Sequence, residues 1–103
     1  MIELKSKSEF DKFVQNKGAV VQFSTTWCNP CKMLKPHMEK VSDVIHEPVA
    51  FIYVDTAEEG EELQSEFDIN SVPQIMRFDN GDVVKIASRN AMAIIKELGN
   101  VVQ

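Results

Sequence analysis

Trp27-Cys28-Asn29-Pro30-Cys31-Lys32 holds both cysteines and the single tryptophan of this 103-residue chain. Cysteines three positions apart on a helical turn have Cα atoms about 5–6 Å apart, inside the window a disulfide requires. A bridge across so short a loop removes little entropy from the unfolded chain and makes a poor staple. The pair is better suited to opening and closing, which is redox chemistry. Val20-Val21-Gln22-Phe23 reads as a strand and Met33 onward as a helix, so the cysteines fall at a helix entrance. Unpaired backbone N–H groups and the positive end of the helix dipole favour a thiolate there. Cys28, on the outer side of the turn, is expected to be the more exposed and more acidic thiol, and Cys31, one turn in, to be buried and protonated. That ordering makes Cys28 the attacking nucleophile and Cys31 the resolving thiol. Pro30 fits the first helical positions, where its missing N–H is not needed.

The elements that hold this pair follow from the hydrophobic pattern. Ile2 and Leu4 alternate with polar residues as a short strand. Ser8 with Asp11 resembles a helix start, Phe10, Phe13 and Val14 form a stripe at helical spacing, and Gly18 is expected to end that helix. Ala19 to Ser24 is the central strand. The next helix is expected from about Pro30 to Ile45, burying Leu34, Met38, Val41 and Ile45, with a kink at Pro36. Val49 to Val54 is an apolar run typical of a strand buried on both faces. Thr56 with Glu59 reads as a capping box opening a helix that buries Leu63 and Phe67. Val72-Pro73 precedes a strand from Gln74 to Phe78, Asp79-Asn80-Gly81-Asp82 signals a hairpin, and Val83 to Ala87 is the last strand. Ala91 to Val102 closes the chain as a helix. The order βαβαβαββα implies parallel pairing of the early strands and an antiparallel edge, an α/β architecture with a mixed central sheet.

Composition narrows the function. The length supports one domain with one core, and 44% hydrophobic with 26% charged residues is ordinary for a globular protein. A net charge of −5 argues against a nucleic-acid partner, since phosphate binding needs concentrated Lys and Arg. No apolar run approaches the ~18 residues of a membrane span, so no membrane association is expected. Met1 to Lys5 resembles a strand and not a signal peptide, which makes the cytoplasm the expected location, where thiols are kept reduced. Glu58, Glu59, Glu61 and Glu62 read as a solvated helix face. His37 and His46 read as surface residues, and with Cys28 and Cys31 they lack the two spaced ligand pairs of structural zinc, so no metal is expected.

Trp-Cys-x-Pro-Cys-Lys after an apolar strand resembles the active site of the thioredoxin family, and the resemblance runs along nearly the whole chain. It implies a single thioredoxin domain over residues 1–103, with five strands flanked by four helices, and a protein-disulfide reductase acting by dithiol–disulfide exchange. Val72-Pro73 corresponds to the family's cis-proline loop, with the Val72 backbone offered to substrate and Pro73 shaping the wall beside the sulfurs. Trp27 is then a rim of the substrate groove, and Lys32 a charge that modestly favours the thiolate. The sequence has no Gly-rich dinucleotide fingerprint and no flavin site. No bound cofactor is therefore expected, and the redox-active Cys28–Cys31 pair draws on NADPH through a thioredoxin reductase. The implied partners are that reductase and disulfide-containing proteins, met as a monomer.

Several positions depart from the family pattern. Gln22 stands where the family usually has a buried aspartate, and an amide cannot act as a general base, so resolution by Cys31 is expected to be slower. Asn29 replaces the usual glycine between the cysteines, and Gln74 follows Pro73 where threonine is common. Ala87-Ser88-Arg89 fills the region where the family often has a glycine, which implies a narrower or different substrate range. These losses keep a second expectation open: a redox-gated binding module of low intrinsic turnover. Pro30 in place of histidine suggests a reductant and not an isomerase.

Overall fold

The computed structural model describes residues 1–15 and 17–101. The elements run β1 (Ile2–Leu4), α1 (Lys7–Phe13), β2 (Ala19–Ser24), α2 (Asn29–Val44), β3 (Val49–Tyr53), α3 (Gly60–Glu66), β4 (Gln74–Asp79), β5 (Asp82–Ile86) and α4 (Ala91–Val101). They build a five-stranded sheet in the order β1-β3-β2-β4-β5. The early strands pair in parallel and β4 and β5 pair antiparallel, so the expected mixed sheet with four helices is what forms. Asn80 and Gly81 adopt φ of +51° and +89°, the left-handed pair that a two-residue hairpin turn requires. Val102, expected as the last residue of α4, lies outside the described residues.

Side-chain alternation along β2 decides what lies under the cysteines. Val21 and Phe23 enter one core with Leu4, Phe10, Ile52, Leu63 and Phe78. Four rings there, Phe10, Phe23, Phe67 and Phe78, are all mutual neighbours with centroids 5.4 to 6.4 Å apart. Val20 belongs to the second core with Leu34, Met38, Val41, Ile75, Ile94 and Leu98, and Gln22 shares its face. Leu34, Met38 and Val41 are the buried stripe expected of α2, and Ile45 packs at its edge. Pro36 lies on the exposed side, and the helix continues through it.

Three expected boundaries move, each for a tertiary reason. The cap of α1 is Ser6, not Ser8: its hydroxyl accepts the Glu9 N–H at 3.0 Å, and the Glu9 carboxylate accepts the Lys5 N–H at 3.0 Å. Ser6 is selected because it bridges Glu58 in parallel, with Lys7 N–H donating to Glu58 O at 2.8 Å. Asp11 pairs instead with Lys7 at 3.0 Å. Gly18 does not end α1, which is closed at Val14. Its φ of +78° leads into β2, and the space a Cβ would take is filled by Glu47 and Arg77, an ion pair at 2.7 Å. The Thr56–Glu59 box does not form: Glu59 has φ +61° and makes no side-chain cap. Gly60 opens α3 because the Val54 carbonyl occupies the place of a Cβ. Glu58, Glu59, Glu61 and Glu62 are exposed, as a solvated face should be.

Candidate active site

Cys28 is the N-cap of α2, and its Sγ accepts the Cys31 N–H at 3.1 Å. The two residues are disulfide-bonded, with Cα atoms 5.3 Å apart. Both are buried in this oxidised state, at 4% and 3% exposure, so the bridged pair shows no marked difference in exposure between Cys28 and Cys31. The Val72 carbonyl lies 3.8 Å from the Cys28 sulfur. The Val72–Pro73 bond is cis. Exposure passes to the flanks, where Trp27 is 72% exposed and Asn29, Pro30 and Lys32 face solvent.

The loop before Cys28 is anchored by Asp55, which lies two residues beyond the end of β3. The Asp55 carboxylate accepts the Thr26 N–H at 3.1 and 3.2 Å and the Thr26 hydroxyl as well. The signal was available: Ser24 and Tyr53 end neighbouring parallel strands, so the residues just beyond them meet.

Beneath the pair, Gln22 is 2% exposed. Its Nε2 donates to Ser24 Oγ at 2.9 Å and to the Cys31 carbonyl at 3.2 Å. Its Oε1 is buried with no hydrogen-bond partner among the described residues. A recess of about 10 Å³, close to the room of one water, is lined there by Gln22, Ser24, Cys31, Lys35 and Tyr53. Lys35 caps its edge with its ammonium 4.2 Å from the Phe51 ring centre.

Two hollows flank the cis bond. One, about 90 Å³, lies between Thr25, Trp27, Ile69 and Val72. The other is a groove of about 350 Å³ lined by Pro30, Met33, Leu34, His37, Pro73 and Arg89. His37, expected as a plain surface residue, is half-buried and accepts the Ala91 N–H on Nδ1 at 3.2 Å, tying the start of α4 to α2. His46 is exposed. Beyond the groove, Glu97 accepts the N–H groups of Ala87 and Ser88 at 3.1 and 3.0 Å. The Ser88 hydroxyl, those N–H groups and the Arg89 charge hold its carboxyl below the usual range, against a smaller opposing effect of burial. Among the described residues no three His, Cys, Asp or Glu side chains gather to hold a metal ion, and no helix is long and apolar enough to cross a membrane.

A disulfide at the mouth of a helix, beside a cis X–Pro bond and above a mixed five-stranded sheet, defines a dithiol–disulfide oxidoreductase. The thioredoxin family model matches residues 1–100. The chain is 37% identical over 94 residues to thioredoxin-1 of Saccharomyces cerevisiae, covering 89% of each. It is 34% identical over 106 residues to the bifunctional thioredoxin reductase/thioredoxin of Mycobacterium leprae, covering 98% of this chain and 22% of that protein. The solution structure of oxidised thioredoxin from Plasmodium falciparum superposes with a TM-score of 0.81 at 28% identity, over 100% of this chain and 99% of that one. The chain belongs to the thioredoxin family, and its Cys28–Cys31 pair makes it a protein-disulfide reductase working by dithiol–disulfide exchange.

Proposed function

We propose that Cys28 attacks the substrate and Cys31 resolves the intermediate. The observation that carries this order is the Cys31 N–H directed at the Cys28 sulfur from 3.1 Å at the open end of α2. The same donor and helix terminus stabilise an anionic sulfur once the bridge is reduced. The Cys28 thiolate bonds to one substrate sulfur, and the other leaves as a thiolate. Cys31 then loses its proton and attacks Cys28, so the substrate departs with the two electrons and the internal bridge is restored. Trp27 forms the rim of the substrate groove, the Val72 backbone meets the substrate chain, and Pro73 walls the sulfurs. Asn29 and Pro30 shape the loop between the sulfurs, and the Lys32 charge favours the thiolate. A Cys31→Ser variant is expected to trap a mixed disulfide and Cys28→Ser none. Iodoacetamide at mildly acidic pH is expected to label reduced Cys28 well before Cys31; equal labelling refutes the order.

The chain is further proposed to carry electrons from NADPH through a thioredoxin reductase, as a cytoplasmic monomer. The joined reductase and thioredoxin of the Mycobacterium leprae relative supports that partner. Insulin reduction with a reductase and NADPH tests it, sizing chromatography tests the monomer, and cell fractionation tests the compartment. The Gln22 amide favours one rival, a redox-gated binding module. Sustained turnover in the insulin assay removes that rival.

A further inference from the structure

The loop from β5 to α4 presents a side chain held in place but not used up. Arg89 Nη1 donates to the carbonyls of Ile86, Ala87 and Ser88 at 2.9, 2.9 and 3.0 Å. Its Nη2 donates to the Pro73 carbonyl at 3.3 Å. A guanidinium has five N–H groups. Nη1 and one hydrogen of Nη2 serve these four acceptors, while the Nε–H has no hydrogen-bond partner among the described residues. Nε–H and the Nη2–H beside it lie parallel along one edge of the plane, the fork that fits both oxygens of a carboxylate, and Nη2, with two hydrogens, has one protein acceptor, the Pro73 carbonyl, among the described residues.

We propose that Arg89 is a specificity-determining residue whose free edge binds a carboxylate of the substrate, so that disulfides flanked by Asp or Glu are preferred. The proposal rests on the protein-disulfide reductase function of the site and names its substrate class. Position supports it: Arg89 holds the Pro73 carbonyl, and the preceding carbonyl, that of Val72, lies 3.8 Å from Cys28 Sγ. A substrate chain joined to Cys28 and crossing this loop reaches Arg89 within a few residues, each spanning at most about 3.6 Å. Electrostatics support it too. The groove lining of Pro30, Met33, Leu34, His37, Pro73 and Arg89 includes no carboxylate, and Glu97, the nearby carboxylate that feels the Arg89 charge, is occupied by the N–H groups of Ala87 and Ser88. Arg89 itself is exposed, so the pair is a surface one, modest in strength and screened by salt. The carbonyl contacts fix the side chain beforehand, so little rotamer freedom remains to be lost on binding.

The test uses pre-reduced protein and symmetric peptide disulfides with Glu, Gln or Lys two to four residues to either side of the cysteine. Single-turnover release of peptide thiol is followed by acid quench and chromatography. The Glu peptide is expected to react about fivefold faster than the Gln peptide at one or more positions at low salt, with Lys slowest and the spread shrinking as salt is added. Arg89→Gln is expected to bring the Glu-to-Gln ratio to about one, and Arg89→Lys, a point charge without the fork, to leave it intermediate. Equal rates for Glu, Gln and Lys in the wild type overturn the proposal and leave the reductase intact. An Arg89→Gln variant slowed equally on all peptides, with its ratio unchanged, assigns Arg89 to loop positioning and also overturns it. Failure to reduce any peptide overturns the underlying function and the proposal with it.

Discussion

Replacing Gln22 by Asp puts a proton acceptor under the redox pair and exposes what the amide does there. In the native protein the Gln22 amide donates to Ser24 Oγ and to the Cys31 carbonyl, at 2.9 and 3.2 Å. A carboxylate donates neither bond and turns negative charge toward the Cys31 carbonyl. The Ser24 hydroxyl can rotate to donate to it, which recovers part of the loss. At 2% exposure the ionised form is poorly solvated, so the new carboxyl should titrate above the ordinary aspartate value. An acid whose folded pKa is raised is penalised only where it ionises in the unfolded chain. Gln22→Asp should therefore match the wild type best below about pH 4 and lose relative stability as pH rises toward its folded pKa. Each tenfold weakening of the acid in the fold costs about 1.4 kcal/mol once the pH exceeds its folded pKa. The functional gain runs the other way. A carboxylate beside Cys31 removes its proton during resolution, and a positioned general base contributes up to 10²–10⁴-fold, so even a poorly placed one should speed resolution by about tenfold. Stopped-flow fluorescence of Trp27, following decay of a Cys28 mixed disulfide from pH 5 to 9, reads this directly. The variant should gain an additional titration and a faster resolving phase. Superposable pH–rate profiles would refute the expectation that the Gln22 amide slows resolution by Cys31.

Asp55→Ala removes the acceptor of both the Thr26 N–H and its hydroxyl; a loss of about 1.5–3 kcal/mol is expected for hydrogen bonds to a charged group, with slower insulin reduction, and thermal melts with steady-state rates check both. Glu97→Gln should lower the melting temperature at neutral pH. Because the Glu97 carboxyl titrates below its ordinary value in the fold, its contribution is present above the unfolded pKa and fades as pH falls through the folded one, so the two melting curves should converge in acid. Gly60→Ala drives a methyl group into the Val54 carbonyl; overpacking of about 1–3 kcal/mol should outweigh the helix-propensity gain, seen as a lower urea midpoint with unchanged slope.

The parts of this molecule written into short stretches of sequence were legible there. The β2–Cys28–Cys31–α2 unit declares itself by an apolar strand, a capping cysteine and a helical stripe of Leu34, Met38 and Val41. Asn80-Gly81 declares its hairpin because few other residues accept two positive φ angles in succession. What the sequence concealed depends on distant pairings. Ser6 and Ser8 are chemically equal as caps, and only the bridge to Glu58 chooses between them. The imidazole of His37 meets α4, and Arg89 meets Pro73, through chain closures that no local pattern encodes.

Gln22 sits in register with Phe51 on one side and Ile75 on the other, so β2 is completed only when two remote stretches of chain have arrived. The β4–β5 hairpin closes over a two-residue turn and needs no such partners. Catalysis is therefore tied to strand pairings that join residues far apart in sequence, including the 53-position separation of Gln22 from Ile75. On gradual denaturation, reductase turnover and the main spectroscopic transition should vanish together, whereas fraying at the β5 margin should pass without a kinetic trace.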